Sequence, residues 1–144
     1  MFPIPKQVIA ISPSAVTNGG TATGYIDRKG YDYAVINIHM TTADDTTNKP
    51  SVLTIRHGST TVVTNGSTFS GCVSGTDYTI PDAVTSGNNN FQFCIDCRRL
   101  ERYLSVHIVP RTNQTITAIA NLFKGDEMPT NSTEAGVKLL HVCN

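Results

Sequence analysis

The chain has 144 residues, the size of one ordinary domain. At this length about 68–70% of the unfolded surface can be buried, enough for a core without metal or disulfide staples. Charged residues make up 15% of the sequence, and eleven Lys and Arg balance eleven Asp and Glu. That balance removes the usual case for nucleic acid or an anionic membrane as main partner, because phosphate binding needs a concentrated cationic face.

In chain order, Lys6-Gln7-Val8-Ile9-Ala10-Ile11-Ser12 is short, β-branched and flanked by Pro3, Pro5 and Pro13, which confines it to a sheet edge or an extended arm. Ser14 to Thr23, with Asn18-Gly19-Gly20, carries turn chemistry. Thr21 to Asp27 is a predicted strand closed by Arg28-Lys29-Gly30. Tyr31 to Thr42 alternates clearly: Ala34, Ile36, Ile38 and Met40 form its apolar face, the period of a half-buried strand. Ser51 to His57 resumes the alternation after a polar loop. Thr60 to Thr64 follows Gly58, and Asn65-Gly66 is a type I′ hairpin signal. Thr68 to Ile80 reads as strand fragments in a longer excursion, and 83–90 as a loop. Phe91, Phe93 and Ile95 form one strand face, and the Arg98-Arg99-Leu100-Glu101-Arg102 corner leads into a second strand with Leu104, Val106 and Ile108. Thr115 to Phe123 places Ile116, Ala118, Ala120 and Leu122 on one side. In the last segment, Thr133 to Leu140 fits either one or two helical turns or an extended tail.

About eight short strands spaced by turns predict an all-β, antiparallel β-sandwich, jelly-roll-like, with an extended N-terminal segment and an irregular C-terminal tail. The division expected is residues 1–20 as N-terminal arm and edge segment, 21–124 as the sandwich body and 125–144 as the tail. Ile38, Ile55, Phe93, Val106 and Ala118 are expected between the two sheets.

Side chains that could carry chemistry are dispersed. Cys94-x-x-Cys97 lacks the second knuckle of a structural zinc site and the strand-to-helix setting of a redox pair, so the thiols read as incidental. His39, His57, His107 and His141 fall on four segments. For His39 and His107 the expectation is cross-strand hydrogen bonding. Asp44-Asp45 and Asp126-Glu127 lack the alternating oxygen ligands of a calcium loop. No nucleophile elbow is present, and the Arg98, Arg99 and Arg102 cluster reads as a solvated or salt-bridged turn. The expectation is a non-enzymatic protein with no catalytic residue, cofactor or metal. Met1-Phe2-Pro3-Ile4-Pro5 lacks the features of a signal peptide, and no apolar run approaches the ~18–20 residues of a membrane span. A soluble protein made in a cytoplasm is expected, with Cys72, Cys94, Cys97 and Cys143 as reduced thiols and the sequons at Asn65, Asn113 and Asn131 unglycosylated.

The run from Phe91 through Asp96, the basic corner and Arg102-Tyr103-Leu104 resembles small head decoration (cement) proteins of tailed bacteriophages. Tyr31-Asp32-Tyr33-Ala34, the Ala118-Ile119-Ala120-Asn121-Leu122 strand and the Asp126-Glu127-Met128-Pro129 close extend that resemblance, which covers about half the chain. Cys97 departs from the pattern. The resemblance implies a virion protein on the outer capsid surface, commonly a homotrimer, that clamps major capsid protein subunits; from the charge balance, no direct contact with nucleic acid or membrane is expected. Tail or head-completion proteins, and less so a carbohydrate-binding β-sandwich, are the alternatives. Arms that pair on a neighbour's sheet edge gain main-chain hydrogen bonds. The expected contact residues are therefore Pro3, Pro5, Val8, Ile9 and Ile11 at one end of the chain and Leu139, Leu140 and Val142 at the other.

Overall fold

The computed structural model describes residues 5–41, 49–60, 67–68, 80, 90–124 and 140–143. Nine strands follow in chain order: β1 (Lys6–Val16), β2 (Ala22–Asp27), β3 (Tyr33–Met40), β4 (Val52–Gly58), β5 (Ser67–Thr68), β6 (Asn90–Asp96), β7 (Tyr103–Val109), β8 (Gln114–Phe123) and β9 (Leu140–Cys143). Seven of these have six to eleven residues, where about eight short strands were expected, and β5 and β9 are pieces of two and four residues. Residues 61–64 of the predicted Thr60–Thr64 strand, the Asn65-Gly66 hairpin, and the 133–139 part of the C-terminal alternative lie outside the described residues. No helix occurs among the described residues.

The strands build two sheets, β1-β8-β3-β6-β9 and β2-β7-β4-β5. For the first eight strands this is the double Greek-key order of a jelly roll, and every pairing but one is antiparallel. The exception is β9, which runs parallel to β6 from Gln92↔Leu140 to Ile95↔Cys143. The C-terminal segment is therefore extended over 140–143.

The period-two alternation decides which face each strand buries. Ile36 and Ile38 of β3, Phe93 and Ile95 of β6, and Ile116, Ala118, Ala120 and Leu122 of β8 point inward from the five-stranded sheet. They meet Ile26 of β2, Leu53 and Ile55 of β4, and Leu104, Val106 and Ile108 of β7, all without exposed surface. Each large side chain so buried contributes roughly 1.5–3 kcal/mol of transfer free energy. All five residues expected between the sheets are there.

β1 departs from simple alternation. Its register against β8 slips between Ile9 and Ile11 and again between Ile11 and Ser14, so each slip inserts one extra residue in β1. The first makes Ala10 the extra residue, and this lets both Val8 and Ile11 face the core although they are three positions apart. The second absorbs Pro13, which has no N–H to give to the ladder. The strand therefore continues to Val16, where turn chemistry from Ser14 onward was expected. Only Thr17–Gly20 turns, with Gly20 N–H donating to Thr17 O at 2.8 Å and Gly19 at φ 72°.

The same bulge brings the two sheets together along one side. A Cβ placed on Gly24 of β2 would lie 2.2 Å from the Ala10 carbonyl oxygen and 2.6 Å from Ile11 Cγ1. The absence of a side chain at Gly24 is what allows the edge strand of one sheet to rest on the edge strand of the other.

Candidate functional site

The expected contact residues divide sharply. Residues 6–16 form an edge strand of the sheet, so the described part of the 1–20 segment is integral to the body. Ile11 is buried in the protein's own core, Val8 and Pro5 are half-buried, and Ile9 stands 62% exposed on the outer face. Tyr25, 37% exposed, is the other large apolar side chain at the surface among the described residues. Ile9 and Tyr25 neighbour Ala10 and Gly24, and so flank the line where the two sheets touch. Leu140 and Val142 belong to β9, and their backbones pair with Gln92 and Cys94. Pro3 and Leu139 lie outside the described residues.

One end of the sandwich carries a dense ionic arrangement built by the 28–32 turn and the 97–102 corner. The Arg28 guanidinium donates to three main-chain carbonyls: Nε to Glu101 O at 2.9 Å, Nη1 to Tyr31 O at 3.2 Å, and Nη2 to Leu100 O. Arg28 N–H donates to Arg102 O at 3.2 Å and Cys97 N–H to Asp32 O at 2.7 Å, so the two turns are clasped by backbone as well. Arg102 grips Asp27 with Nε and Nη2 at 2.9 and 2.7 Å, and Arg98 grips Asp96 at 2.6–3.1 Å. Both guanidiniums lie over rings, Arg98 at 5.2 Å from the Tyr33 centroid and Arg102 at 4.8 Å from that of Tyr103. The hydrogen bonds from Arg102 hold the Asp27 carboxyl well below the usual carboxylate range, and those from Arg98 lower that of Asp96. Such carboxylates stay ionised at neutral pH and are poor proton carriers. His57 Nδ1 sits 3.2 Å from Glu101 Oε2 at the rim.

Cys94 and Cys97 do not converge. β6 ends at Asp96, Cys97 joins the core, and Cys94 is buried apart from the core cluster. Burial pushes the Cys94 thiol up to about 11 and that of Cys97 to about 12, so both are protonated and unreactive at neutral pH. No group of three or more His, Cys, Asp or Glu that could hold a metal occurs among the described residues. His39 and His107 make the expected cross-strand bonds, to Asn90 Oδ1 at 2.7 Å and Thr23 Oγ1 at 3.2 Å.

At the opposite end, two open depressions of about 410 and 470 Å³ flank Ala15–Thr17. Their described lining mixes apolar side chains, among them Ile11, Val16 and Ala22, with Ser, Thr, Asn and Gln, and among the described residues it holds no aromatic side chain. Gln114, at the floor of the larger, has both carboxamide atoms sealed from solvent and without a hydrogen-bond partner.

The sequence marked the Arg98–Arg102 cluster but not the residues that join it. Lys6, Arg28, Lys29 and Lys124 arrive at the same end from three other stretches of chain, as the pairings Lys6↔Leu122, Asp27↔Tyr103 and Tyr33↔Phe123 require. The run Asp27-Arg28-Lys29-Gly30 was the available signal, since it places charge in a turn whose partner is the other charged turn. Compared with models of known protein families the chain matches none, and a comparison with curated proteins finds no match.

Proposed function

We propose that this protein is a virion structural component, a capsid decoration or cement protein that bridges major capsid protein subunits at the head surface and associates with copies of itself, as a homotrimer. The observation that carries the reading is the jelly-roll body, whose interior is packed with apolar side chains and whose large exposed apolar side chains, among the described residues, are Ile9 and Tyr25 on its outer surface. Jelly rolls serve viral shells and also lectins and enzymes, so fold alone does not select among them. Support for a shell component comes from the resemblance around Phe91–Leu122 and from Ile9 and Tyr25, which offer apolar area beside a sheet edge.

The test is co-sedimentation of the purified protein with expanded heads of the virus that encodes it. Saturable binding at a fixed ratio to the major capsid protein is expected, and Ile9→Lys should weaken it while the thermal melt stays unchanged. Recovery with tails only, or no binding to heads, overturns the reading.

A further inference from the structure

Among the described residues the sheets end in four edge strands, β1 and β9 on one and β2 and β5 on the other. An exposed edge invites pairing with another chain, and proteins blunt such edges by shortness, bulges or proline. β9 and β5 are four and two residues long, and β1 carries two bulges and Pro13. β2 has none of these devices. Its six residues keep an unbroken register against β7 and include no proline.

That register fixes which main-chain groups of β2 are spare. Arg28 N–H donates to Arg102 O at 3.2 Å, one step beyond the Asp27↔Tyr103 pair. Bonded and non-bonded pairs alternate along an antiparallel ladder, so Ala22, Gly24 and Ile26 turn their N–H and C=O groups to β7. Thr23, Tyr25 and Asp27 turn theirs the other way, to the side on which no described strand pairs with β2. β1 touches β2 at Gly24 from the core side, while the Thr23 and Tyr25 side chains are exposed on the outer face.

We infer that this edge pairs with β2 of a second copy, antiparallel about a two-fold axis at Tyr25. Self-complementarity selects the occupant. In that register Tyr25 faces Tyr25 of the second copy and each Thr23 faces an Asp27, so all three spare positions form hydrogen-bonded pairs that exchange two bonds each. The tyrosines make an aromatic cross-strand pair, and each Asp27 carboxylate meets a Thr23 hydroxyl. The two Asp27 side chains stand four positions apart, ~14 Å along the strand. Centring the axis on Asp27 would set like charges face to face, and centring it on Thr23 would run Asp27 past the end of the partner strand. The four-stranded sheet then continues from one copy into the other. Such a contact is isologous and cannot close a ring of three. It therefore goes beyond the homotrimer of the reading above, joining one trimer to the next, and does not depend on that reading.

The experiment is oxidative cross-linking of full-length cysteine variants at high micromolar concentration, with the wild-type chain as background. Tyr25→Cys should give a disulfide-linked dimer, because the Cα atoms of a hydrogen-bonded pair lie ~5.5 Å apart, within disulfide reach. Thr23→Cys and Asp27→Cys should each stay uncross-linked alone and cross-link when mixed, an outcome peculiar to this register. In sedimentation velocity Tyr25→Lys should associate about tenfold more weakly than wild type, with like charges now opposed at the axis, and should melt like wild type. The inference is overturned if Tyr25→Cys gives no dimer above the wild-type background, or if Thr23→Cys cross-links with itself. It is also overturned if the chain stays monomeric while Tyr25→Lys loses head binding, since the edge then receives an extended segment of the capsid protein. Head binding without cross-linking removes the edge pairing and leaves the cement reading standing. Cross-linking without head binding does the reverse.

Discussion

The two ends of the sandwich are held by different chemistry. At one end, Arg28 and the Asp27–Arg102 pair tie two turns together, and Asp96–Arg98 braces the second turn from within, so these charged groups have their partners in place. At the other, neutral groups make the connections. Gly19 N–H donates to Pro110 O at 2.9 Å, Asn18 N–H to Asn113 Oδ1 at 2.8 Å, and Thr41 Oγ1 accepts from Thr115 N–H at 3.0 Å. There Gln114 is left with a donor and an acceptor unmet. Guanidinium, with its fixed fork of donors, can serve several carbonyls of a turn at once. A buried carboxamide needs partners placed to suit it, and the neutral end does not supply them.

The largest expected effect breaks both ends alike, because it parts the sheets between them. Gly24→Ala sets a Cβ against the Ala10 backbone, which has no side chain to yield. A loss of about 3 kcal/mol or more is expected in chemical denaturation. Next comes Arg28→Met at the ionic end, which strips three carbonyls of their donor while keeping most of the side-chain volume. About 2–4 kcal/mol should be lost, with hydrogen exchange rising first in the 97–102 corner. Gln114→Leu acts in the opposite sense, exchanging two unmet polar atoms for an apolar side chain of similar volume. It should stabilise by about 1–2 kcal/mol, and an unchanged or lower melting point would show that the neutral end is better satisfied than the contrast implies.

The smallest effects appear on acidification and separate the ionic end from the middle of the sheet. Burial, followed by the nearby Arg56 charge, lowers His107 below its ordinary 6.5. The unfolded chain therefore takes up this proton more readily, and stability present above pH 6.5 is lost as pH falls through the lowered value. Asp27 and Asp96 are lowered from 3.8, so the stability of their ionised forms is retained to that pH and lost only below it. A melting profile against pH should show two descents. His107→Gln should remove the upper and leave the lower, whereas Asp96→Asn should diminish only the lower.

Sequence reasoning reached the fold through β3 and β8: Ile116–Leu122 alternates in burial along its whole length, and Ala34–Met40 alternates except at Val35, which is apolar and buried on the opposite face. It failed at β1 for a physical reason. Val8-Ile9-Ala10-Ile11 read in strict period two puts Ile9 and Ile11 on one face, and only the bulge at Ala10, set by contact with Gly24, separates them. That is why Ile9 and Ile11 looked equivalent as surface contacts and are not. Half of the ionic end was legible in the Arg98–Arg102 cluster, but its joining to Asp27 and Arg28 was not, because Asp27 and Arg102 are 75 positions apart and only the antiparallel pairing of β2 with β7 brings them together. β9 carried too few residues to show any period.

The pairing of the first long strand with the last has a consequence in time. Lys6 meets Leu122, 116 residues later, so during synthesis at about 5–20 residues per second β1 waits roughly 6–20 s for its only strand partner in the sheet. Throughout that interval its ladder groups and Ile11 have nowhere native to go, and the Ala10 carbonyl can at most rest on β2. A chain built this way depends on slow, long-range closure, and its yield in a cell will be governed by what shields that first strand until the eighth arrives.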